Sequence, residues 1–141
     1  MQDLIFPAWP TKAESKDTDM SRELLVAVVE DDAPFRMALV ESLSELGYGA
    51  RGFSSAEEFI AEDGDQSCDC LITDIHLTGM NGFELKRLLT RRGSTKPVIM
   101  ITAQTDPALE TKALAFGAMC LLRKPIEADA LIGCLERATN I

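Results

Sequence analysis

Short apolar runs alternate along the chain with segments in which apolar residues recur at helical spacing. The central runs are apolar without alternation, which is typical of strands that are covered on both faces of a sheet. The pattern therefore predicts five strands, at Leu24–Val29, Gly49–Phe53, Cys70–Thr73, Val98–Ile101 and Met119–Leu122.

A helical pattern follows each predicted strand. Helix boundaries are indicated by Pro34 at a first-turn position, by the capping-box spacing of Ser55 and Glu58, and by glycines after the last turns. Predicted helices span residues 34–46, 55–60, 82–92, 106–116 and 127–137. This alternation predicts an α/β fold with a parallel sheet, helices on both faces and right-handed crossovers.

The first 22 residues show no such periodicity. We predict a flexible N-terminal tail over residues 1–22 and a single domain over residues 23–141. An alternative for the tail is a docking peptide built on Ile5, Phe6 and Trp9.

Composition narrows the class of protein. The net charge of −9 argues against a nucleic-acid-binding surface, which needs clustered Lys and Arg. Four cysteines without a CxxC pair and a single histidine argue against a zinc site. Three of the four lie in or beside apolar runs and are expected to be small core residues of a reducing compartment. No apolar run is long enough to cross a membrane and no basic cluster leads the N-terminus, so we expect a cytoplasmic protein.

Polar residues follow four of the five predicted strands. They are Glu30 and Asp31 after the first strand, Asp74 after the third, Thr102 after the fourth and Lys124 after the fifth. Ligands of an open parallel sheet bind beyond the carboxyl ends of its strands. Each residue alone could serve as a turn or cap, but together they predict a common site at this edge.

The grouping predicts phosphoryl chemistry with a metal ion. Two carboxylates ~4 Å apart repel by about 4 kcal/mol at an effective dielectric near 20, and a divalent cation removes that penalty. The oxygen-only set Glu30, Asp31 and Asp74 suits Mg²⁺. A carboxylate can attack a phosphoryl group, whose oxygens Mg²⁺, Lys124 and the Thr102 hydroxyl can neutralise.

At this point the sequence resembles the response-regulator receivers of two-component signalling. The resemblance covers about residues 23–140 and is nearest to receivers of the FixJ/NarL type, here without their DNA-binding domain. The five matching segments are Val28–Asp32, Leu71–Asp74, Gly79–Gly82, Met100–Ala103 and Arg123–Pro125. The resemblance implies a flavodoxin-like (βα)5 doubly wound parallel sheet with strand order 2-1-3-4-5.

The resemblance also implies roles for individual residues. Asp74 corresponds to the phosphoacceptor, Asp31 to the direct Mg²⁺ ligand, Glu30 to the acid that usually acts through water, and the backbone carbonyl of His76 to the third protein ligand. Thr102 corresponds to the switch hydroxyl. In the same comparison, Lys124 pairs with the phosphate and precedes a cis proline, Pro125.

Three positions depart from the family pattern. Leu121 stands at the aromatic switch position, which puts in doubt a coupling through an aromatic rotamer. Thr78 stands where the family often has proline, so the loop after the phosphoacceptor is expected to be less rigid. Asn81 replaces a frequent aspartate and is interpreted as a turn residue.

The function that the resemblance implies is a switch. A histidine kinase or histidine phosphotransfer protein donates phosphoryl to Asp74. The surface formed by the fourth helix, fifth strand and fifth helix of the repeat then binds or releases a downstream effector protein. Direct contact with nucleic acid or membrane is not expected. Its chemistry is confined to its own phosphotransfer and autodephosphorylation. One alternative is a phosphatase or dehalogenase with an Asp nucleophile, which typically has a second Asp where His76 stands. Another is a constitutive interaction module, which the intact acid cluster argues against and Leu121 leaves open.

Overall fold

The predicted strands form one parallel sheet in the order β2-β1-β3-β4-β5. The computed structural model of the protein describes residues 23–139; the predicted tail, residues 1–22, lies outside the described residues. The strands are β1 (Leu25–Val29), β2 (Gly49–Phe53), β3 (Cys70–Asp74), β4 (Val98–Thr102) and β5 (Cys120–Arg123). The predicted fold class and strand order are confirmed.

Burial along the strands follows their place in the sheet. All five residues of β1, of β3 and of β4 are buried, because helices cover both faces of the central strands. The edge strand β5 alternates between buried and half-buried positions, and only Phe53 of the other edge strand, β2, is buried. The weak pattern of β2 in the sequence therefore reflects its edge position.

Six helices occur among residues 23–139, one more than predicted. They are α1 (Ala33–Glu45), α2 (Ala56–Ala61), α3 (Gly64–Ser67), α4 (Gly82–Arg91), α5 (Ala108–Ala115) and α6 (Ala128–Thr139). The additional helix α3 is a single turn that begins after Asp63, whose φ of 53° is left-handed. None of the helices in this range is long and apolar enough to cross a membrane.

Two apolar layers enclose the sheet. One layer packs the side chains of α2, α4 and α5 against the sheet, and includes Phe59, Leu85 and Ala113. The other packs α1 and α6 against the opposite face, and includes Leu43 and Leu135. Loops cover the carboxyl edge of the sheet, and the polar residues that follow the strands lie at this edge.

The cysteines are buried, as expected, but they are not all free thiols. Cys68 and Cys70 are free, and burial raises the pKa of their thiols to about 11 and about 12. Cys120 of β5 and Cys134 of α6 are joined as a disulfide, with their Cα atoms 6.5 Å apart. The packing of α6 on β5 brings these two side chains together, although they are 14 residues apart in the chain.

Candidate functional site

Four of the predicted site residues lie at the carboxyl ends of neighbouring strands. Asp74 and Thr102 are the last residues of β3 and β4, so each strand extends one residue beyond its predicted end. Glu30 directly follows β1 and Lys124 directly follows β5. The parallel register of β1, β3, β4 and β5 places these four ends side by side.

Lys124 joins two of the carboxylates. Its ammonium donates hydrogen bonds of 2.7 Å to Glu30 Oε1 and 2.8 Å to Asp74 Oδ2. The same ammonium lies 4.4 Å from the centre of the Phe35 ring, at cation–π distance. The peptide bond between Lys124 and Pro125 is cis, as expected. Lys124 thus holds residues that lie far apart in the sequence in one pocket.

The pKa values of Glu30 and Lys124 are both raised, but for different reasons. Burial raises the pKa of Glu30 above its ordinary value of 4.5, and the hydrogen bond from Lys124 opposes that rise without cancelling it, because Glu30 is fully buried. Burial would lower the pKa of Lys124, but its bonds to Asp74 and Glu30 outweigh burial and raise that pKa above 10.5. The pocket therefore disfavours the charged form of Glu30 and favours the charged form of Lys124.

Both carboxylate oxygens of Asp74 have partners. Oδ1 accepts a hydrogen bond of 2.8 Å from the backbone N–H of His76, and Oδ2 accepts the bond from Lys124. The hydroxyl of Thr73 donates to the Asp74 carbonyl at 3.0 Å. Gly82 packs so closely that a Cβ atom there would lie 2.5 Å from that carbonyl oxygen. Asp74 is buried, and these contacts hold its carboxylate in one orientation.

Asp31 lies at the exposed rim of the pocket and contacts the loop after β3. Its Oδ2 accepts hydrogen bonds from both the backbone N–H and the hydroxyl of Thr78, each 3.1 Å long. Burial would raise the pKa of Asp31, but the two bonds from Thr78 outweigh it and hold that pKa below 3.8. Asp31 is therefore ionised at neutral pH and restrained through one oxygen.

Thr102 is fully buried and is linked to Lys124 through the backbone. The Lys124 N–H donates a hydrogen bond of 2.8 Å to the Thr102 carbonyl, and the Thr102 hydroxyl oxygen accepts one of 3.1 Å from the Gln104 N–H. Leu121 of β5 is half-buried and packs against the α2–α4–α5 layer. The hydroxyl and the ammonium are thus carried by adjoining strand ends.

The oxygen atoms around the pocket match the coordination needs of Mg²⁺. Among residues 23–139, no three acidic, histidine or cysteine side chains are arranged to hold an ion by themselves. Mg²⁺ usually keeps several waters and needs only one or two carboxylates. The carboxylates of Asp31 and Asp74, the His76 carbonyl and the nearby Glu30 offer oxygen alone, so they fit a hydrated Mg²⁺.

Four residues that support the site were not identified from the sequence. The sequence predicts only a helical position for Phe35 and a loop position for Thr78. Arg36 donates a 2.7 Å hydrogen bond to the Glu30 carbonyl, and Glu57 of α2 accepts one of 2.8 Å from the Met80 N–H. No pattern in the sequence marks these contacts, because each of them joins separate segments. Only Thr78 carried a signal, as a departure from the family pattern.

Asn81 has a more definite role than a turn residue. It is the N-cap of α4: its side-chain oxygen accepts a hydrogen bond from the Glu84 N–H, and the Glu84 carboxylate accepts one from the Asn81 N–H, both at 2.9 Å. This capping box begins α4 directly after the loop that carries His76 and Thr78.

A five-stranded doubly wound sheet with acids, a hydroxyl and an ammonium at its carboxyl edge defines the receiver class of flavodoxin-like domains. Comparison with known proteins agrees: the family profile described as the response regulator receiver domain matches residues 26–136. The chain therefore belongs to the response-regulator receiver family. It is a receiver domain of the kind found in the response regulators of two-component systems.

Individual relatives support the assignment. The chain is 30% identical over 120 residues to the response regulator protein TmoT of Ectopseudomonas mendocina, and 33% identical over 115 residues to the transcriptional regulatory protein FixJ of Rhizobium meliloti. These matches cover 85% and 82% of this chain but 54% and 56% of the two relatives. The chain thus spans about half the length of these relatives.

Solved structures match over a similar range. The structure of FixJ-N is 32% identical with a TM-score of 0.77, and the match covers 84% of this chain and 94% of that chain. The chemotaxis protein CheY4 of Vibrio cholerae is 25% identical with a TM-score of 0.74, and the match covers 82% of this chain and 98% of that chain.

Proposed function

We propose that Asp74 is the residue that accepts phosphoryl and that Glu30, Asp31, His76, Thr102 and Lys124 support the reaction. The observation that carries this proposal is the pocket in which Lys124 bonds to both Asp74 and the buried Glu30. Asp74 lies at the end of the central strand β3, where the loops leave its carboxylate at the carboxyl edge of the sheet.

The proposed reaction is phosphoryl transfer from a phosphohistidine. A bond forms between a carboxylate oxygen of Asp74 and the phosphorus, and the phosphorus–nitrogen bond to the donor histidine breaks, with its electron pair passing to the imidazole nitrogen. The ammonium of Lys124 is within reach of the incoming phosphoryl oxygens because it already contacts Asp74 Oδ2. The donor is a histidine kinase or a histidine phosphotransfer protein.

The residues that would hold Mg²⁺ are Asp31, Asp74 and the backbone carbonyl of His76, with Glu30 acting through water. When bound, Mg²⁺ supplies positive charge for one phosphoryl oxygen, while Lys124 and the Thr102 hydroxyl serve the other two. The His76 N–H holds Asp74 Oδ1, so the carboxylate is oriented before the donor arrives. This division of roles uses Glu30 after β1, Asp74 of β3, Thr102 of β4 and Lys124 after β5.

The response to phosphorylation is proposed to pass from Thr102 to the surface formed by α5, β5 and α6, the α5–β5–α6 surface. Movement of the Thr102 hydroxyl toward the phosphoryl group favours one of two existing states of this surface. Leu114 and Met119 beside β5 are 50% and 40% exposed, which suits contact with a protein effector. Transfer of signal to a protein, without nucleic-acid or membrane contact, is part of this proposal.

The remaining features of the proposal concern the whole chain. We place a flexible tail at residues 1–22 and the receiver domain at residues 23–141, in a protein of the cytoplasm. We also propose that its only chemistry is its own phosphotransfer and autodephosphorylation. Hydrolysis of a phosphate ester by the purified protein, at a rate above that of Asp74→Ala, would contradict this last point.

The test of the acceptor is labelling by acetyl phosphate with Mg²⁺. The wild type should be labelled and Asp74→Ala should not. Asp32→Ala is the matched control, because Asp32 is a neighbouring acid at the same edge with no role in the proposal, and it should be labelled as the wild type is. Labelling that persists in Asp74→Ala would remove the proposed acceptor.

A further inference from the structure

Thr78 makes two hydrogen bonds to a single carboxylate oxygen of Asp31. Its backbone N–H and its hydroxyl both donate to Oδ2, each at 3.1 Å, over a separation of 47 residues. Both bonds reach the same oxygen, so they fix the orientation of the Asp31 carboxylate. A proline at position 78 would have neither donor, so this contact depends on the residue that this chain carries there.

The contact links the two segments that carry the candidate ligands. Asp31 lies in the loop between β1 and α1, whereas His76 lies in the loop between β3 and α4, two residues before Thr78. The bonds from Thr78 therefore join the loop of Asp31 to the loop that carries His76. Nearby, the His76 N–H is itself bonded to Asp74 at 2.8 Å.

The same loop is held a second time on the far side of Thr78. The Glu57 carboxylate accepts a hydrogen bond of 2.8 Å from the Met80 N–H. Gly79 has a φ of 82°, and a Cβ atom there would lie 2.7 Å from a Glu57 oxygen, so the loop passes directly against α2. With Asn81 capping α4, the loop after β3 is restrained at Thr78, at Met80 and at Asn81.

We propose that Thr78 is a positioning residue for the divalent cation: it orients the Asp31 carboxylate for the proposed Mg²⁺ site. This inference rests on the proposed Mg²⁺ site and deepens it. Mg²⁺ requires near-ideal octahedral geometry, so fixing two ligands relative to each other raises its affinity. Residues that orient ligands in this way typically change metal affinity by about 10- to 100-fold when they are removed.

The test uses the full chain and Mg²⁺ alone. Thr78→Val removes the hydroxyl and keeps both the shape and the N–H, whereas Thr78→Ser keeps both donors. Thr95→Val is the matched control, because Thr95 is also an exposed loop threonine but precedes β4 at the opposite end of the sheet. Mg²⁺ affinity is measured by isothermal titration calorimetry at neutral pH.

We expect the dissociation constant for Mg²⁺ to rise about tenfold in Thr78→Val. It should stay within about twofold of the wild type in Thr78→Ser and Thr95→Val. Because Thr78 is exposed, urea unfolding without Mg²⁺ should give the same midpoint in all four proteins. An unchanged affinity in Thr78→Val would overturn the inference, and so would a tighter one, since the hydroxyl would then compete with the ion for Asp31.

A kinetic measurement separates positioning from a general loss of function. The rate of Asp74 labelling by acetyl phosphate should fall in Thr78→Val at limiting Mg²⁺ and return to the wild-type rate at saturating Mg²⁺. A deficit that persists at saturation would contradict the positioning role. Failure of the proposed function itself looks different, because the wild type would then neither bind Mg²⁺ nor become labelled.

Discussion

The ammonium of Lys124 donates a 2.8 Å hydrogen bond to the carboxylate of Asp74, across 50 residues of sequence. The side chain of Lys124 is only 17% exposed, so this ion pair is shielded from solvent more than a surface pair is. It also contacts the buried Glu30, which makes Lys124 the cation that neutralises this part of the pocket.

Replacing Lys124 by Met should lower both stability and labelling. The substitution leaves two buried carboxylates without their shared donor, so we expect a loss of about 1–3 kcal/mol in the free energy of unfolding. Labelling of Asp74 should slow as well. Urea unfolding and acetyl phosphate labelling measure the two effects, with Lys86→Met, a surface lysine bonded to Thr90, expected to change neither by much. Equal stability of the Lys124 and Lys86 variants would contradict this account.

The burial of Glu30 predicts a particular dependence of stability on pH. Its pKa in the folded protein lies above 4.5, so between 4.5 and that raised value the unfolded chain has lost a proton that the folded chain keeps. The free energy of unfolding contributed by Glu30 therefore falls as pH rises through this window. Glu30→Gln cannot ionise, so its stability relative to the wild type should increase as the pH rises above 4.5. Parallel pH profiles of urea unfolding in the two proteins would rule this out.

Gly82 should not tolerate even a methyl group. A Cβ atom there would lie 2.5 Å from the Asp74 carbonyl oxygen and 3.0 Å from the Ile75 Cα, so Gly82→Ala must displace the backbone that carries the phosphoacceptor. We expect a loss of about 1–3 kcal/mol in the free energy of unfolding, together with slower labelling. Gly133→Ala in α6 is the control, because nothing lies within 4 Å of its Cβ position, and it should gain about 0.5–1 kcal/mol.

Thr102→Ala should leave the phosphorylation of Asp74 intact and weaken the structural response to it. Thr102→Ala removes the hydroxyl that is proposed to move toward the phosphoryl group, so beryllofluoride, a phosphoryl mimic, should produce smaller amide shifts in the α5–β5–α6 surface. Asp74 should still be labelled, and Thr102→Ser should respond as the wild type does. Two-dimensional amide NMR spectra make the comparison. A full response in Thr102→Ala would show that the signal does not pass through this hydroxyl.

Much of the fold was predictable because it depends on local patterns. The apolar runs of β1, β3 and β4 reflect burial on both faces, and the strand–helix alternation leaves few topologies for a parallel sheet. The placement of Asp74 and Thr102 near strand ends followed from the same patterns. The sequence patterns did not show that Asp74 and Thr102 are themselves the last residues of their strands, because the register with a neighbouring strand decides where pairing stops.

The remaining features depend on contacts between distant segments. The pairing of Cys120 with Cys134 needs the packing of α6 on β5, and the bond between Thr78 and Asp31 needs two loops to meet. The single-turn helix α3 is too short to leave a periodic pattern. The family resemblance suggested which residues share the pocket, but only the structure shows that Lys124 contacts both Glu30 and Asp74.

The central claim is that phosphoryl is carried by Asp74, and mapping the modified residue tests it most directly. The wild-type chain is phosphorylated with a phosphohistidine donor and Mg²⁺, reduced with borohydride, which converts an aspartyl phosphate to homoserine, and digested for peptide sequencing by mass spectrometry. The account predicts homoserine at position 74 and an unmodified His76. Phosphate retained on His76, or reduction at another acid with Asp74 intact, would contradict it.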